Sequence, residues 1–437
     1  MAHLGLGAFH RAHQAWYTQR ANDLSDLAWG IEAFSGQRRE LVDALNAQGN
    51  RYTLIIRNSA RDVPLTISSV VRASAGTDGE RWRTVLADPA VSVLTLTITE
   101  SGYSLDAAID ADELALSSDN DAAMSSAPGR IVDGLRARRR AGSGALAIIS
   151  CDNLPRNGEV TRSSVLGLAA RCDPQLAKWI DENVSFVSSM VDRITPATTE
   201  DDLAAVLSLT GRHDRVPVIT EPFTEWILSG EFPAGRPAWE KGGARFVDDL
   251  APFENRKLWL LNAAHSLLAY VGIFRGHETI DEAMADSWCA AHVEVLWGEA
   301  RAILDLPDVE IDATLSALRS RFSNVRIRHR LAQVAVDGSH KLPQRVVDVQ
   351  RRRIESQLPV GSAGALVIAG WLVHLRDYPS MVSDARVGEL SESLPGLTAS
   401  EQIDAVLHLV APDLVGELAP PVAEALQSLE LSRKDQP

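Results

Sequence analysis

Across residues 1–150, short apolar runs alternate with polar turns and helical stretches. "LAWGIEAFS", "RYTLIIRN", "LTISSVVRAS" and "AVSVLTLTITESG" are rich in Val, Ile, Leu and Thr and bounded by Asp, Asn, Gly or Pro, which predicts strands. "IVDGLRARRRAG" predicts a helix with a basic last turn and a stopping glycine. The continuous apolar run of "GALAIISCDNLPRNG" suits a parallel strand covered on both faces. Such alternation predicts an α/β fold with a doubly wound sheet. Beyond "ARFVDDLAPFENRK" the period becomes helical, in "KLWLLNAAHSLLAYVGIF", "DSWCAAHVEVLWGEARAIL", "IDATLSALRSRF", "GALVIAGWLVHLRDY", "EQIDAVLHLVA" and "PVAEALQSLEL". The boundary is placed near residue 246, giving domains 1–245 and 246–437. "ARVGELSESLPGLTASE" reads as an exposed loop and "ELSRKDQP" as a frayed tail.

A length of 437 residues exceeds what one core serves and predicts two or three domains. The formal net charge of −15 disfavours nucleic acid and anionic membranes, because no basic excess exists to neutralise phosphates. Three scattered cysteines, Cys151, Cys172 and Cys289, form no CxxC pair and fit a reducing cytoplasm. No apolar stretch is expected to reach the roughly 20 residues that span a bilayer, and no secretory signal is evident. The expected state is a cytosolic monomer or weak homodimer.

"MAHLGLGAFHRAHQAWY" passes from a short apolar stretch through Gly5 and Gly7 into a helical pattern. Only about four residues precede Gly5, short for a buried strand, so a natural start upstream of Met1 stays open. A strand-to-helix corner of this kind lets backbone N–H groups of residues such as Phe9, His10 and Arg11 face a pyrophosphate, as in a Rossmann-type dinucleotide site. The third glycine position falls on His10, so the GxGxxG fingerprint is incomplete. Glu32, on the second strand, could accept from the ribose 2′-hydroxyl of NAD, whereas Arg38 and Arg39 could hold the 2′-phosphate of NADP. The bland alternative for the arginines is a solvated helix start. His10 and His13 form HxxH, but two imidazoles fall short of a zinc site, and no metal is expected.

"FENRKLWLLNAAHS", residues 253–266, places polar groups in an apolar helical run. On a regular α-helix, with Lys257 at zero, Glu254 falls near ~60°, His265 near ~80° and Asn262 near ~140°. All four then share one side. A surface Glu–Lys pair and a satisfied core histidine would explain them equally well if the segment stood alone.

The segments "HLGLGAFHRAHQAWY", "TLTITESGY", "SCDNLPRNG", "MVDRITP", "EPFTEW", "KLWLLNAAHS" and "DGSHKLPQR" together resemble the long-chain polyol dehydrogenases. That family includes mannitol 2-dehydrogenase, fructuronate (mannonate) reductase, tagaturonate reductase and mannitol-1-phosphate 5-dehydrogenase. The matches run in family order from residue 3 to residue 345. The resemblance implies a zinc-independent, NAD(P)-dependent oxidoreductase with an N-terminal Rossmann-type domain and a mostly α-helical substrate domain. It implies Lys257 as general base, Asn262, Asn153 and His265 around the substrate oxygen, and Glu254 in proton movement to and from the lysine. It further implies Asp192 and Lys341 as substrate-binding residues.

The residue types suit that chemistry. Removing hydride from an alcohol carbon requires a base for the hydroxyl proton, and burial brings a lysine's pKa down toward the working range. Amide donors can stabilise the oxygen as it becomes alkoxide-like. Gln333 occupies a position where a mannitol 2-dehydrogenase can carry a substrate-binding arginine, and with "KLPQR" this looks more like the uronate reductases. There Lys341 and Arg345 could meet a carboxylate, although Arg345 could equally cap a helix. The expected substrate is a hexitol or an aldonate, interconverted with its ketose. A hexitol phosphate is the alternative, and a non-catalytic nucleotide sensor is the reading from another class.

Overall fold

The structure is a computed structural model that describes residues 1–36, 39–103 and 124–432, with the side chains of Glu100 and Ser101 left out. The chain divides into two compact units, Met1–Ala251 and Pro252–Pro437.

The first unit contains β1 (Ala2–Leu4), β2 (Ile31–Phe34), β3 (Tyr52–Arg57), β4 (Asp62–Ile67), β5 (Val70–Ser74), β6 (Val93–Leu96), β7 (Leu146–Ser150), β8 (Val184–Asp192), β9 (Val218–Thr220), β10 (Glu225–Ser229) and β11 (Arg245–Phe246). The large sheet has the order β11-β10-β8-β7-β6-β1-β2-β5. Its six strands β5-β2-β1-β6-β7-β8 are all parallel, while β10 runs antiparallel to β8. That parallel order is the 3-2-1-4-5-6 arrangement of the dinucleotide-binding sheet, and its direction reverses between β1 and β6.

Residues of β7 alternate between two cores. Leu146 and Ile148 pack with Trp82, Ile131 and Val165 on one face, whereas Ala147 and Ile149 pack with Ala12, Val42 and Trp226 on the other. Period-2 geometry sends successive side chains to opposite faces, so a doubly covered strand must be apolar throughout.

One predicted strand divides. "LTISSVVRAS" forms the end of β4, which lies in the small sheet β4-β3-β9, and then β5 at the edge of the large sheet. The break comes at two serines. Ser68 N and Oγ donate to Gln19 Oε1 at 3.0 and 3.1 Å, and Ser69 Oγ donates to Ala15 O at 2.7 Å. These bonds tie the crossing to helix Gln14–Asp23 instead of to a ladder.

The second unit is built of helices. Ala263–Phe274 packs on Ser362–Asp377, which packs in turn on Val415–Ser432. The continuous run Ala251–Phe274 has 24 residues, and its most apolar 18-residue stretch has a mean hydropathy of 1.2, long and apolar enough to cross a membrane by length and composition, contrary to the expectation from the sequence. Its most apolar stretch is 89% buried, as a core helix would be. The expected loop after residue 384 instead folds into helix Gly388–Ser393, because Ser391 Oγ reaches Leu375 O at 3.0 Å and Leu394 is buried beside it. The last five residues of the expected tail lie outside the described residues.

Candidate active site

In the second unit, the helix carrying the polar groups is not uniformly α. Residues Ala251–Arg256 are α-helical, Lys257–Asn262 form a π-helical turn, and Ala263–Phe274 return to α. The 100° wheel therefore does not hold between Lys257 and Asn262: an i→i+5 turn adds residues and rotates the next stretch of helix. The hydrophobic period could not reveal this. The widened turn offers carbonyls to side chains from other elements. Leu260 O accepts from Trp297 Nε1 at 2.9 Å, and Asn262 O accepts from Ser266 Oγ at 3.2 Å and from Arg345 Nη1 at 3.4 Å. Backbone acceptors buried in a core need such partners.

A second π turn, Pro343–Val347, packs against the first. Pro343 has no N–H to return to the turn before it, so the ladder is interrupted within "KLPQR". Arg345, on this turn, also donates to Ser266 Oγ at 3.1 Å. Lys341 donates to Val336 O at 2.7 Å. Nearby, a side chain at Gly338 would come within 2.3 Å of Trp371 Nε1 and 2.6 Å of Tyr270 Oη, so the segment can only lie this close as glycine.

Two buried nitrogens on the helix have no hydrogen-bond partner among the described residues: Asn262 Nδ2 and His265 Nε2. Burial holds the His265 pKa well below its ordinary value, and His329, Arg321, Arg345 and Lys257 push it the same way. His265 is thus a neutral imidazole, able to donate at one nitrogen and accept at the other. The structure brings together Lys257 and Asn262 on the first π turn, His265 on the α-helix that continues it, and Arg345 on the second π turn. Glu254 lies one turn ahead of Lys257 and is half-buried. Gln333 is set apart, exposed on the short helix Leu331–Val334. Arg321 and His329, neighbours of His265, gave no periodic or motif signal in the sequence.

In the first unit, the C-terminal ends of the parallel strands carry the other candidates. Gly5 has φ +110°, and a Cβ there would lie 1.9 Å from Thr97 O. Thr97 Oγ1 donates to Gly5 O at 2.7 Å, so β1 and β6 meet without room for a side chain. A Cβ at Gly7 would meet only Gly5 O, at 3.6 Å, and first-turn N–H groups have no intrahelical partner, so this corner fits a pyrophosphate. Asn153 is exposed just beyond β7. The preceding Asp152 accepts from Ile98 N, Thr99 N and Tyr103 Oη at 3.1, 3.0 and 2.5 Å, fixing the loop after β6 to the end of β7. Asp192 is the last residue of β8.

Three cofactor candidates have side chains engaged within the first unit. His10 is fully buried and stacks on His3 of β1, with ring centroids 3.4 Å apart and planes at 12°. Arg11 is also buried, donating to Gly7 O at 3.2 Å and to Val216 O, with its own carbonyl accepting from Tyr52 Oη at 2.6 Å. Its guanidinium is a tie between segments, far from free to meet a ligand. Glu32 lies two residues before the end of β2, and Arg81 holds both its oxygens at 2.8 and 2.6 Å while Ser74 Oγ donates at 2.9 Å. The crevice of a parallel sheet lies beyond the strand ends, so this carboxylate serves an ion pair instead. Phe9 stacks on His13 at 5.0 Å, and His13 Nε2 bonds Glu225 O at 3.0 Å. Arg39 pairs with Asp43 at 3.6 Å on the surface. Arg38 lies outside the described residues.

Comparison with known proteins agrees with this architecture. Residues 1–241 match the family described as the mannitol dehydrogenase Rossmann domain, and residues 249–427 match the mannitol dehydrogenase C-terminal domain. The chain is 40% identical over 428 residues to the D-mannonate oxidoreductase of Escherichia coli (strain K12), covering 94% of this chain and 87% of that protein. It is 36% identical over 364 residues to the mannitol 2-dehydrogenase of Cereibacter sphaeroides, covering 79% of this chain and 75% of that one. Among solved structures, the Pseudomonas fluorescens mannitol 2-dehydrogenase ternary complex with NAD and D-mannitol superposes with a TM-score of 0.81 at 32% identity, covering 99% of this chain and 91% of that one. With both family domains matched in order along nearly the whole chain, this protein belongs to the mannitol dehydrogenase family of oxidoreductases.

Proposed function

We propose that this protein oxidises a secondary hydroxyl of a hexitol or aldonate to the ketose, and reduces the ketose in reverse, using NAD, with NADP as the alternative cofactor. D-mannitol with D-fructose and D-mannonate with D-fructuronate are the leading pairs. The observation that carries the reading is the π turn bearing Lys257 and Asn262, followed by His265, with Asn262 Nδ2 and His265 Nε2 buried and unpartnered among the described residues. Leaving two such nitrogens unsatisfied costs about 1–3 kcal/mol each, which a folded protein retains where a ligand completes them.

The nicotinamide supplies the hydride chemistry, and the glycine corner at Gly5 and Gly7 would hold its pyrophosphate. The remaining work falls to side chains. Lys257 takes the hydroxyl proton as the carbon gives up hydride, and carries positive charge beside the oxygen in the reverse direction. Asn262 donates to the oxygen as its charge grows. His265, neutral, orients a neighbouring hydroxyl. Asn153 is proposed as the catalytic amide of the first unit, and Glu254 as the carboxylate that passes protons to and from Lys257. Asp192 and Lys341 are proposed to bind the substrate.

The test is NAD(P)H absorbance with mannitol, fructose, mannonate and fructuronate, for the wild type and Lys257→Ala. Turnover of at least one pair, lost in the variant, is the expected result. A protein that binds NAD and turns over none of the four, nor a hexitol phosphate, would be a nucleotide sensor.

A further inference from the structure

Helix Gly338–Leu342 opens the helical run that carries Lys341 and, one turn later, Arg345. Its N-cap residue, Asp337, sits in the left-handed region at φ +54° and puts no side-chain oxygen on the first turn. First-turn N–H groups have no partner inside a helix, so an acceptor must come from elsewhere. It comes from Asp384, 45 residues beyond Ser339, in the stretch between the turn Pro379–Met381 and helix Gly388–Ser393. One oxygen of Asp384 accepts from Ser339 N at 2.7 Å. The other accepts from Ser339 Oγ at 2.7 Å and from Arg386 N at 3.1 Å. Beside this pair, Asp337 N donates to Ser383 O at 2.8 Å. Ser339 is fully buried, and Gly338 lies against Trp371 and Tyr270, so the turn is packed as well as bonded. Within it, Lys341 N donates to Asp337 O at 3.1 Å and Lys341 Nζ to Val336 O at 2.7 Å. The place of the ammonium is therefore set by the turn that Asp384 holds.

We propose that Asp384 is a positioning residue for the substrate: by fixing Ser339 and the turn around it, Asp384 sets the Lys341 ammonium where it meets a substrate oxygen. This rests on the dehydrogenase function already proposed and on Lys341 as a substrate-binding residue. A carboxylate suits the task, because its two oxygens accept an N–H and an O–H at once, in bonds stronger than those between neutral groups. Precise placement matters at such a site. A shift of about 1 Å in a group that holds substrate is enough to cost on the order of 10- to 100-fold.

The experiment measures kcat and KM by NAD(P)H absorbance, with whichever of D-mannonate and D-mannitol the wild type uses better, and stability by urea unfolding. The proteins are the full-length wild type, Asp384→Ala, Asp384→Asn, Lys341→Ala, and Asp384→Ala combined with Lys341→Ala. Asp384→Ala should raise the substrate KM by about 10-fold, with kcat changed by less than about 3-fold and the KM for NAD unchanged. Asp384→Asn keeps an oxygen for Ser339 N and an amide that can donate to Ser339 Oγ, so it should recover most of that loss. Lys341→Ala should also raise KM, and adding Asp384→Ala to it should cost no more, because the two residues act as a unit. If Asp384→Ala does not fold, Ser339→Ala removes one of the two bonds and should raise KM by about 3-fold. A residue that only staples the fold would lower the urea midpoint without moving KM, or its effect would add in full to that of Lys341→Ala. Either result overturns the proposal and leaves the dehydrogenase reading intact. An unchanged KM in Lys341→Ala removes that lysine as a substrate residue and the proposal with it. A wild type inactive on both substrates and on their ketoses overturns the dehydrogenase reading as well.

Discussion

Replacing Asn262 by alanine should move activity and stability in opposite directions. Asn262 is 7% exposed, and its Nδ2 meets no acceptor among the described residues. A buried amide in that condition costs about 1–3 kcal/mol, a cost that the alanine variant no longer carries. The bonds that hold the π turn here use the backbone carbonyl of residue 262, which accepts from Ser266 and Arg345 and survives the change. Some packing is lost with the side chain, so the net expectation is stability unchanged or raised by about 1 kcal/mol. Catalysis should suffer far more. Loss of one donor to a developing oxyanion lowers turnover by roughly 100- to 1000-fold, with kcat and kcat/KM falling together. Urea unfolding followed by circular dichroism gives the first quantity, provided the denaturant slope is unchanged. Steady-state NAD(P)H absorbance gives the second. A variant destabilised by more than about 1 kcal/mol with near-normal turnover would show that the amide is a packing group, and the mechanism built on it would fail.

Lys257→Ala should reduce turnover by ~100-fold or more, abolish the rise of oxidation rate with pH, and leave NAD affinity nearly unchanged; normal turnover with the same pH profile would remove Lys257 as the base. The buried histidines predict acid lability. Burial lowers His3 to about 3 and His374 to about 4, so their contribution is complete above the unfolded pKa near 6.5 and is lost as pH falls below it. For His374 the loss approaches ~3 kcal/mol by pH 4, at about 1.4 kcal/mol per pH unit, and His374→Leu should flatten the fall in urea midpoint between pH 6.5 and 4. Gly5→Ala, forced against Thr97 O at positive φ, should destabilise by at least ~2 kcal/mol and weaken NAD binding; a variant of normal stability would contradict the clash. Arg38→Ala combined with Arg39→Ala should lower the NADP-to-NAD ratio of kcat/KM, and an unchanged ratio would make both bystanders.

Local pattern alone was enough for much of this protein. The apolar run at β7 declares a strand covered on both sides, because only such a strand can be hydrophobic at every position. Gly5 and Gly7 mark the corner between β1 and its helix, whereas Lys257, Asn262 and His265 stand out only through the resemblance carried by several segments together, since their spacing alone fits a surface pair and a core histidine equally well. The strand and the corner depend on residues close together in the chain. Features that depend on distant partners were not legible. Glu32 looked available for a ribose until Arg81, 49 residues on, was seen to hold it. Period alone cannot register the first π turn, since its carbonyls at Leu260 and Asn262 are satisfied by Trp297 and Arg345, side chains that only the folded second unit brings to them. His329 belongs to the same group, since only the return of the chain to Thr279 sets it against His265.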